Sequence, residues 1–280
     1  MSDIVRLGIF GWPVAHSKSP EMHESAARAL GIDLRYDRFE VAPGDLAESI
    51  REKHASAIDG YNLTVPHKEA IIPLLDEVAP AAEAIGAVNT VARTDGRYVG
   101  HNTDAPGLVR SLEEAGVRVG GTRVVVLGAG GAARAAVVGL SNAGASAITV
   151  LSRRPEQCEA LCGALEAHVD CELVSAPLLQ ARSFFETATL LVQATSATLE
   201  SNPHALEFAA SLPLDALPTE AAVVDMVYKP LKTAVRARAE DRGLKVVDGL
   251  GMLLHQGAIA FEMWTGFEAP VEVMRSALTD

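Results

Sequence analysis

The chain has 280 residues, 49% of them hydrophobic, and a formal net charge of −12. That length suffices for one large domain or two ordinary ones, each with a full core. The acidic balance argues against a nucleic-acid partner, which needs a basic face, but leaves room for a small anionic substrate held by a few local donors.

Arg6 to Phe10 reads as a short buried strand, broken at Gly11-Trp12-Pro13. Ser19-Pro20 then opens a helix, with Ser19 expected at the N-cap, that runs to Leu30 and stops at Gly31. Leu34 to Val41 is a second strand, Gly44 to His54 a second helix, Tyr61 to Val65 a third strand, and Pro66 is expected to begin another helix. Asp95-Gly96 sits between two strand-like runs and predicts a type I′ hairpin. From Asn102 onward strands and helices alternate: a helix at 106–115, a strand ending at Leu127, a strand at 147–151 and a helix at 155–167. Apolar strands follow at 190–194 and 223–226, then a helix at 233–242, a short strand at 245–247 and a long helix from about Leu250 to Gly266. A short C-terminal helix closes the chain. This alternation predicts parallel sheets, two of them.

The start carries no basic segment followed by a long apolar run, and no apolar run is long enough to span a bilayer. The expectation is a soluble cytoplasmic protein with no membrane partner. Cys158 and Cys162, with His168 and Cys171, superficially suggest a metal site, but the spacings fit no usual ligand pattern. Cys158 and Cys162 read instead as small apolar residues on one helix face, and no metal is expected.

The run Val124-Val125-Val126-Leu127-Gly128-Ala129-Gly130-Gly131-Ala132-Ala133 fits a dinucleotide turn between a buried strand and a helix. Gly128 permits the tight turn, Gly130 lets backbone N–H groups approach a pyrophosphate, and Ala133 lets the helix pack close to the strand. After the next strand come Ser152, Arg153 and Arg154, with no acid to accept from a ribose 2′-hydroxyl. Two guanidiniums match a 2′-phosphate, so the cofactor expected is NADP.

Polar clusters lie at 16–20, 62–68, 86–90 and 101–104, each at a strand end or helix start. On a parallel sheet such ends share one edge, so these clusters should converge. The stretches GWPVAHSKSPEMHE, YNLTVPHKE, IGAVNT, GHNTDAPGL, GAGGAA, DMVYKP and GLGMLLHQGAIAFEMWTG closely resemble, in order and spacing, the shikimate dehydrogenase family. The resemblance covers nearly the whole chain. It implies NADP-dependent interconversion of 3-dehydroshikimate and shikimate, in the biosynthesis of chorismate and the aromatic amino acids. It implies that Ser17 and Ser19 hold the substrate carboxylate, reached also by the Tyr228 phenol. Asn62, Thr64, Asn89 and Gln256 match positions that bind ring hydroxyls, and Lys68 and Asp104 match the catalytic pair. On the cofactor side it implies Gly128, Ala129, Gly130, Gly131, Ala132, Ser152, Arg153, Arg154, Thr195, Met226 and Gly249, with Met252 lining the space between nicotinamide and substrate. An ammonium at Lys68 suits the negative charge that grows on a ketone oxygen as hydride arrives, and it can donate the proton.

Two departures stand out. Where the family has Asn-Arg-Thr after the second cofactor-domain strand, this chain has Ser152-Arg153-Arg154. Where it has Asn-Ala-Thr-Ser-x-Gly near the nicotinamide, this chain has Gln193-Ala194-Thr195-Ser196-Ala197-Thr198. Losing that glycine is expected to limit the loop's backbone freedom. The organisation expected is a discontinuous α/β substrate domain with a mostly parallel sheet, residues 1–104 and 249–280, and a Rossmann-type domain at 105–248. Two chain crossings suit hinge closure. A quinate/shikimate paralogue using NAD or NADP, and a non-catalytic NADP sensor, are the competing readings. Assembly is left at monomer or homodimer.

Overall fold

The computed structural model describes residues 4–279. The chain divides into two compact units, Met1–Thr103 with Leu254–Asp280, and Asp104–Leu253. Asp104 and residues 249–253 thus belong to the second unit.

The first unit is built on β1 (Val5–Gly11), α1 (Ser19–Leu30), β2 (Leu34–Glu40), α2 (Leu46–Ala55), β3 (Gly60–Leu63), β4 (Glu77–Val78), α3 (Pro80–Ile85), β5 (Thr90–Thr94) and β6 (Arg97–His101). Its sheet runs in the order β2-β1-β3-β5-β6-β4. Neighbours pair in parallel except β5, which is antiparallel to both β3 and β6. β5 and β6 form the hairpin expected at Asp95-Gly96, whose positive φ values of 51° and 79° are those of a type I′ turn. Phe10, Ile50, Tyr61, Leu63, Ile71 and Val91 form the core on one face of this sheet.

The helix expected from Pro66 does not form. The stretch is a set of turns followed by a short 3-10 segment at Ile72–Leu74. The carbonyl of Lys68, which a helix would commit to Ile72, accepts instead from the Val88 N–H at 2.8 Å, and Ile72 turns to Glu69. Pro73, with no N–H to give, ends propagation. A second correction concerns α1: Lys18, not Ser19, is at the N-cap, and its side chain makes no cap bond.

The second unit holds α4 (Asp104–Glu114), β7 (Arg123–Leu127), α5 (Gly131–Asn142), β8 (Ala147–Ser152), α6 (Pro155–Leu165), β9 (Glu172–Pro177), α7 (Ala181–Phe185), β10 (Leu190–Gln193), α8 (Ala205–Ser211), β11 (Ala222–Asp225), α9 (Ala234–Asp241), β12 (Lys245–Val247) and the first turn of α10 (Gly249–Thr265). The rest of α10 and α11 (Val271–Thr279) belong to the first unit, where α11 packs on α1. The second sheet is wholly parallel in the order β12-β11-β10-β7-β8-β9. The chain builds outward from β7 through β8 to β9, then returns to place β10 on the other side of β7. That reversal puts a ligand-sized crevice at the C-terminal ends of β7 and β10 in sheets of this kind.

β9 carries no strong sequence signal. Glu172-Leu173-Val174-Ser175-Ala176-Pro177 is an edge strand, only partly buried, and its ladder with β8 is what makes it one. Cys158 and Cys162 are buried free thiols on α6, and burial pushes the Cys162 thiol up to about 12. Among the described residues, no cluster of His, Cys, Asp or Glu is arranged to hold a metal ion, and no helix is long and apolar enough to cross a membrane.

Candidate active site

The first unit gathers its polar residues into one buried network. The Ser19 backbone N–H, at the open end of α1, donates to Ser17 Oγ at 3.3 Å, and the two hydroxyls are 3.2 Å apart. The loop carrying them is pinned by Arg38, whose Nε and Nη2 donate to the Ser17 carbonyl at 3.0 and 2.6 Å while Nη2 also meets Glu21. The Tyr36 phenol bonds with Ser19 and donates to Asn62 Oδ1 at 2.6 Å. Asn62 Nδ2 donates to the Asn89 carbonyl and to Thr90 Oγ1, both at 3.0 Å. Asn89 Oδ1 accepts from the Thr103 N–H at 2.7 Å, and Asn89 Nδ2 donates to Thr103 Oγ1 at 3.0 Å and to Gln256 Oε1 at 3.4 Å. Ser17, Ser19, Asn62, Asn89, Thr103 and Gln256 are all buried.

Four separated stretches and α10 therefore meet at one place, as the clusters in the sequence predict. The details differ for Asn62. Both its amide hydrogens are spent on Asn89 and Thr90, so it can offer a ligand only a remaining lone pair on Oδ1. It orders its neighbours. Thr64 and Lys68 follow β3 in the same unit and are part-buried, and the Lys68 backbone is fixed by Val88. His67 points elsewhere, with Nε2 2.8 Å from the Val41 carbonyl.

Tyr36 and Arg38 lie outside the polar clusters of the sequence, and Thr90 and Thr103 lie inside two of them without an assigned role. The available signal was faint: Tyr36 is a lone buried aromatic in LRYDRFE, an edge strand otherwise half-exposed. Burial raises the Tyr36 pKa well above the usual phenol range, against the opposing effects of Ser19 and Arg38. The phenol stays protonated and works as a donor.

In the second unit the glycine turn joins β7 to α5. Gly128 has φ of +113°, and a Cβ there would lie 2.9 Å from Thr195 Cγ2 and 3.2 Å from the Ala194 carbonyl oxygen. Fold geometry alone accounts for this glycine. Gly130 is different: its φ of −93° and ψ of −173° suit any residue, and a Cβ there would meet nothing within 4 Å. Packing gives no reason for a missing side chain at Gly130, whereas a phosphate drawn up to the backbone at the head of α5 does. Gly131, Ala129 and Ala132 are part-buried around it, and Ala133 is buried against the sheet.

Ser152 ends β8. Its Oγ accepts from the Arg154 N–H at 2.9 Å, which fixes the turn into α6 and leaves Arg153 and Arg154 exposed at its head. These positions fit a phosphate, since two guanidiniums and a helix N-terminus coincide. Gly249 packs on the backbone of Met226, where a Cβ would come within 2.5 Å of the Met226 carbonyl oxygen. Thr195 seats beside Gly128, Met252 is buried on α10, and Tyr228 is part-buried after β11. Asp104 is the first residue of α4 and is buried.

The loss of glycine at position 198 does not distort the loop. Thr198 closes a 3-10 turn over Ser196–Thr198 without a positive φ, so the position makes no demand for glycine.

A wholly parallel sheet of this order, with a glycine turn at its reversal point, places the chain among the Rossmann-type α/β proteins that carry a second α/β unit. Comparison with known proteins narrows this. Family models match residues 9–91 (shikimate dehydrogenase substrate binding domain), 111–202 (shikimate / quinate 5-dehydrogenase) and 249–279 (shikimate 5'-dehydrogenase C-terminal domain). Shikimate dehydrogenase (NADP(+)) of Moorella thermoacetica is 46% identical, over 98% of this chain and 92% of its own. That of Symbiobacterium thermophilum is 43% identical, over 97% and 92%. The crystal structure of shikimate 5-dehydrogenase from Thermus thermophilus, in complex with NADP(H) and shikimate, is 40% identical, covers 99% of both chains and superposes with a TM-score of 0.85. The chain belongs to the shikimate dehydrogenase family.

Proposed function

We propose that this protein catalyses the reversible NADPH-dependent reduction of 3-dehydroshikimate to shikimate. The observation that carries the reading is the buried hydroxyl–amide network running from Ser17 and Ser19 to Asn89 and Gln256. Its two ends present different chemistry. At one end, two hydroxyls and the N-terminus of α1 suit a carboxylate. At the other, two carboxamides and threonine hydroxyls suit ring hydroxyls, which both donate and accept. A small polyhydroxylated acid uses both.

NADPH, when bound, supplies the hydride. Gly128, Ala129, Gly130, Gly131 and Ala132 hold its pyrophosphate, and Ser152, Arg153 and Arg154 its 2′-phosphate. Thr195, Met226, Gly249 and Met252 line the nicotinamide side. Lys68 and Asp104 are the catalytic pair. The Lys68 ammonium stabilises the negative charge growing on the carbonyl oxygen and delivers the proton that makes it a hydroxyl. Asp104 accepts from the ring hydroxyl that neighbours the reacting carbon. Thr64 and Asn89 bind the ring, with Gln256, and Tyr228 joins the serines at the carboxylate. Met1–Thr103 with Leu254–Asp280 supply most of the substrate side, and Asp104–Leu253 supply the cofactor side together with Asp104 and Tyr228 for the substrate. The enzyme works in the cytoplasm as a monomer or homodimer.

The test follows NADPH absorbance with shikimate or quinate and NADP or NAD. Shikimate with NADP should turn over fastest. Faster turnover of quinate with NAD would make this the quinate/shikimate paralogue, and NADP binding with no turnover of either acid would make it a sensor.

A further inference from the structure

Gln193 and Thr198, which depart from the family pattern in the loop after β10, bond to each other. Gln193 Nε2 donates to Thr198 Oγ1 at 2.9 Å. Both are buried, in a cluster closed by Asp225 at the end of β11. Asp225 Oδ1 accepts from Gln193 Nε2 and Thr198 Oγ1, each at 3.3 Å, and from the Val227 N–H at 3.1 Å. Its Oδ2 accepts from the Thr233 hydroxyl at 2.6 Å, and Thr233 Oγ1 in turn caps α9 by accepting from the Arg236 N–H. Burial raises the Asp225 pKa, and these donors oppose the rise.

The other side of the Gln193 amide reaches the loop. Its Oε1 accepts from the Thr195 N–H at 2.8 Å and from the Thr195 hydroxyl at 2.6 Å. The Thr195 hydroxyl also accepts from the Ala197 N–H, capping the 3-10 turn that carries Thr198. So one carboxamide ties both ends of that turn to a buried carboxylate. The methyl of Thr195, held in this way, lies 2.9 Å from where a Cβ of Gly128 would be. An asparagine at 193 would be shorter by one C–C bond, about 1.5 Å, and could not span Thr195, Thr198 and Asp225 together. A glycine at 198 would supply no hydroxyl. The two departures make sense only as a pair.

We infer that Gln193 and Thr198 are coupled positioning residues that, anchored on Asp225, lock Thr195 against Gly128 and thereby set the affinity for NADP(H). The lock replaces backbone freedom at position 198 with a side-chain tether. This inference rests on the reading that the Gly128–Ala132 turn binds NADP(H).

NADPH fluorescence titration of the intact protein tests it, with Tm measured alongside. Wild-type binding establishes the reading; its absence would remove the reading itself and the inference with it. Gln193→Asn and Thr198→Val should each raise the Kd for NADPH about tenfold, the scale of one lost hydrogen bond to a charged cluster. The double variant should also sit near tenfold, because both changes break one shared tether. Thr198→Ser keeps the hydroxyl and should restore wild-type affinity. Multiplying effects, about a hundredfold in the double variant, would overturn the coupling. An unchanged Kd in folded variants with lowered Tm would reduce the cluster to a structural role and overturn the inference. Should Thr198→Val fail to fold, Gln193→Asn against Thr198→Ser still decides it.

Discussion

The Tyr36 phenol donates to Asn62 Oδ1 at 2.6 Å, inside the first unit and away from solvent. This bond links the hydroxyl end of the network to its amide end. Tyr36→Phe strips a donor from a buried amide oxygen and an acceptor from Ser19, a loss on the order of 1–3 kcal/mol. The expected result is a higher KM for shikimate, by about tenfold, with the Kd for NADPH unchanged. Isothermal titration with each ligand separates the two, and an equal loss of both affinities would refute a local role.

Lys68→Ala removes the proposed proton donor and charge stabiliser. Turnover should fall by about 10²–10⁴-fold, the usual worth of general acid–base catalysis. NADPH binding should persist. Stopped-flow measurement of the hydride step decides it, and near-normal rates would remove Lys68 from the mechanism.

Gly128 and Gly130 should fail differently. Gly128→Ala forces a side chain into a positive-φ position against Thr195 and should cost about 1–3 kcal/mol of stability. Gly130→Ala meets open space in an extended conformation and should leave Tm close to wild type. Its methyl keeps a pyrophosphate off the backbone, so NADPH affinity should fall by about tenfold or more. Denaturation and titration of the two variants check this, and tight NADPH binding by a folded Gly130→Ala protein would contradict the cradle.

The legible parts of this chain were those with local signals. Val124–Leu127 running into Gly-Ala-Gly-Gly states a strand, a turn and a helix within ten residues, and Asp95-Gly96 states its hairpin in two. The network around Asn62 was legible only as separate polar clusters. Tyr36 and Asn62 meet because β1 lies between β2 and β3, pairing Leu7 with Tyr36 and Ile9 with Asn62. No pattern inside either strand encodes that adjacency. The Gln193–Thr198 tether was hidden differently. A missing glycine reads as lost freedom in one dimension, and only the fold brings Asp225, from another strand, to receive both side chains. The helix misread at Pro66 has the same origin: the Lys68 carbonyl is claimed by Val88, a partner twenty positions away.

Arg153 and Arg154 are exposed at the head of α6, so the grip proposed for them on a 2′-phosphate is open to screening by salt. Replacing both with Ala should raise the KM for NADP by about 10–100-fold, the range of lost charge-assisted bonds, and leave the KM for NAD nearly as it was. Raising ionic strength on the wild type should weaken NADP in the same direction and spare NAD. Parallel loss of both cofactors would assign the arginines to the fold.

His23 on α1 is fully buried, and neither ring nitrogen has a hydrogen-bond partner among the described residues. Its ring stacks on Tyr36 at 4.9 Å between centroids, with Trp264 at 5.2 Å and Phe261 at 6.2 Å. Burial alone lowers its pKa from 6.5 to about 3. Between those values the unfolded chain binds a proton that the folded chain refuses, so stability is retained above pH 6.5 and declines as pH falls toward 3. At pH 5 the loss from this residue is about 2 kcal/mol, from 1.36 kcal/mol per pH unit. His23→Phe keeps a flat ring on Tyr36 and removes the titration. Urea unfolding at about pH 7.5 and about pH 5 should then show a smaller drop in the variant than in the wild type, by about that amount. Packing strain from the larger ring would move both values together and leave the difference intact. Identical pH dependence in the two proteins would mean that His23 reaches a proton acceptor or solvent in the folded state.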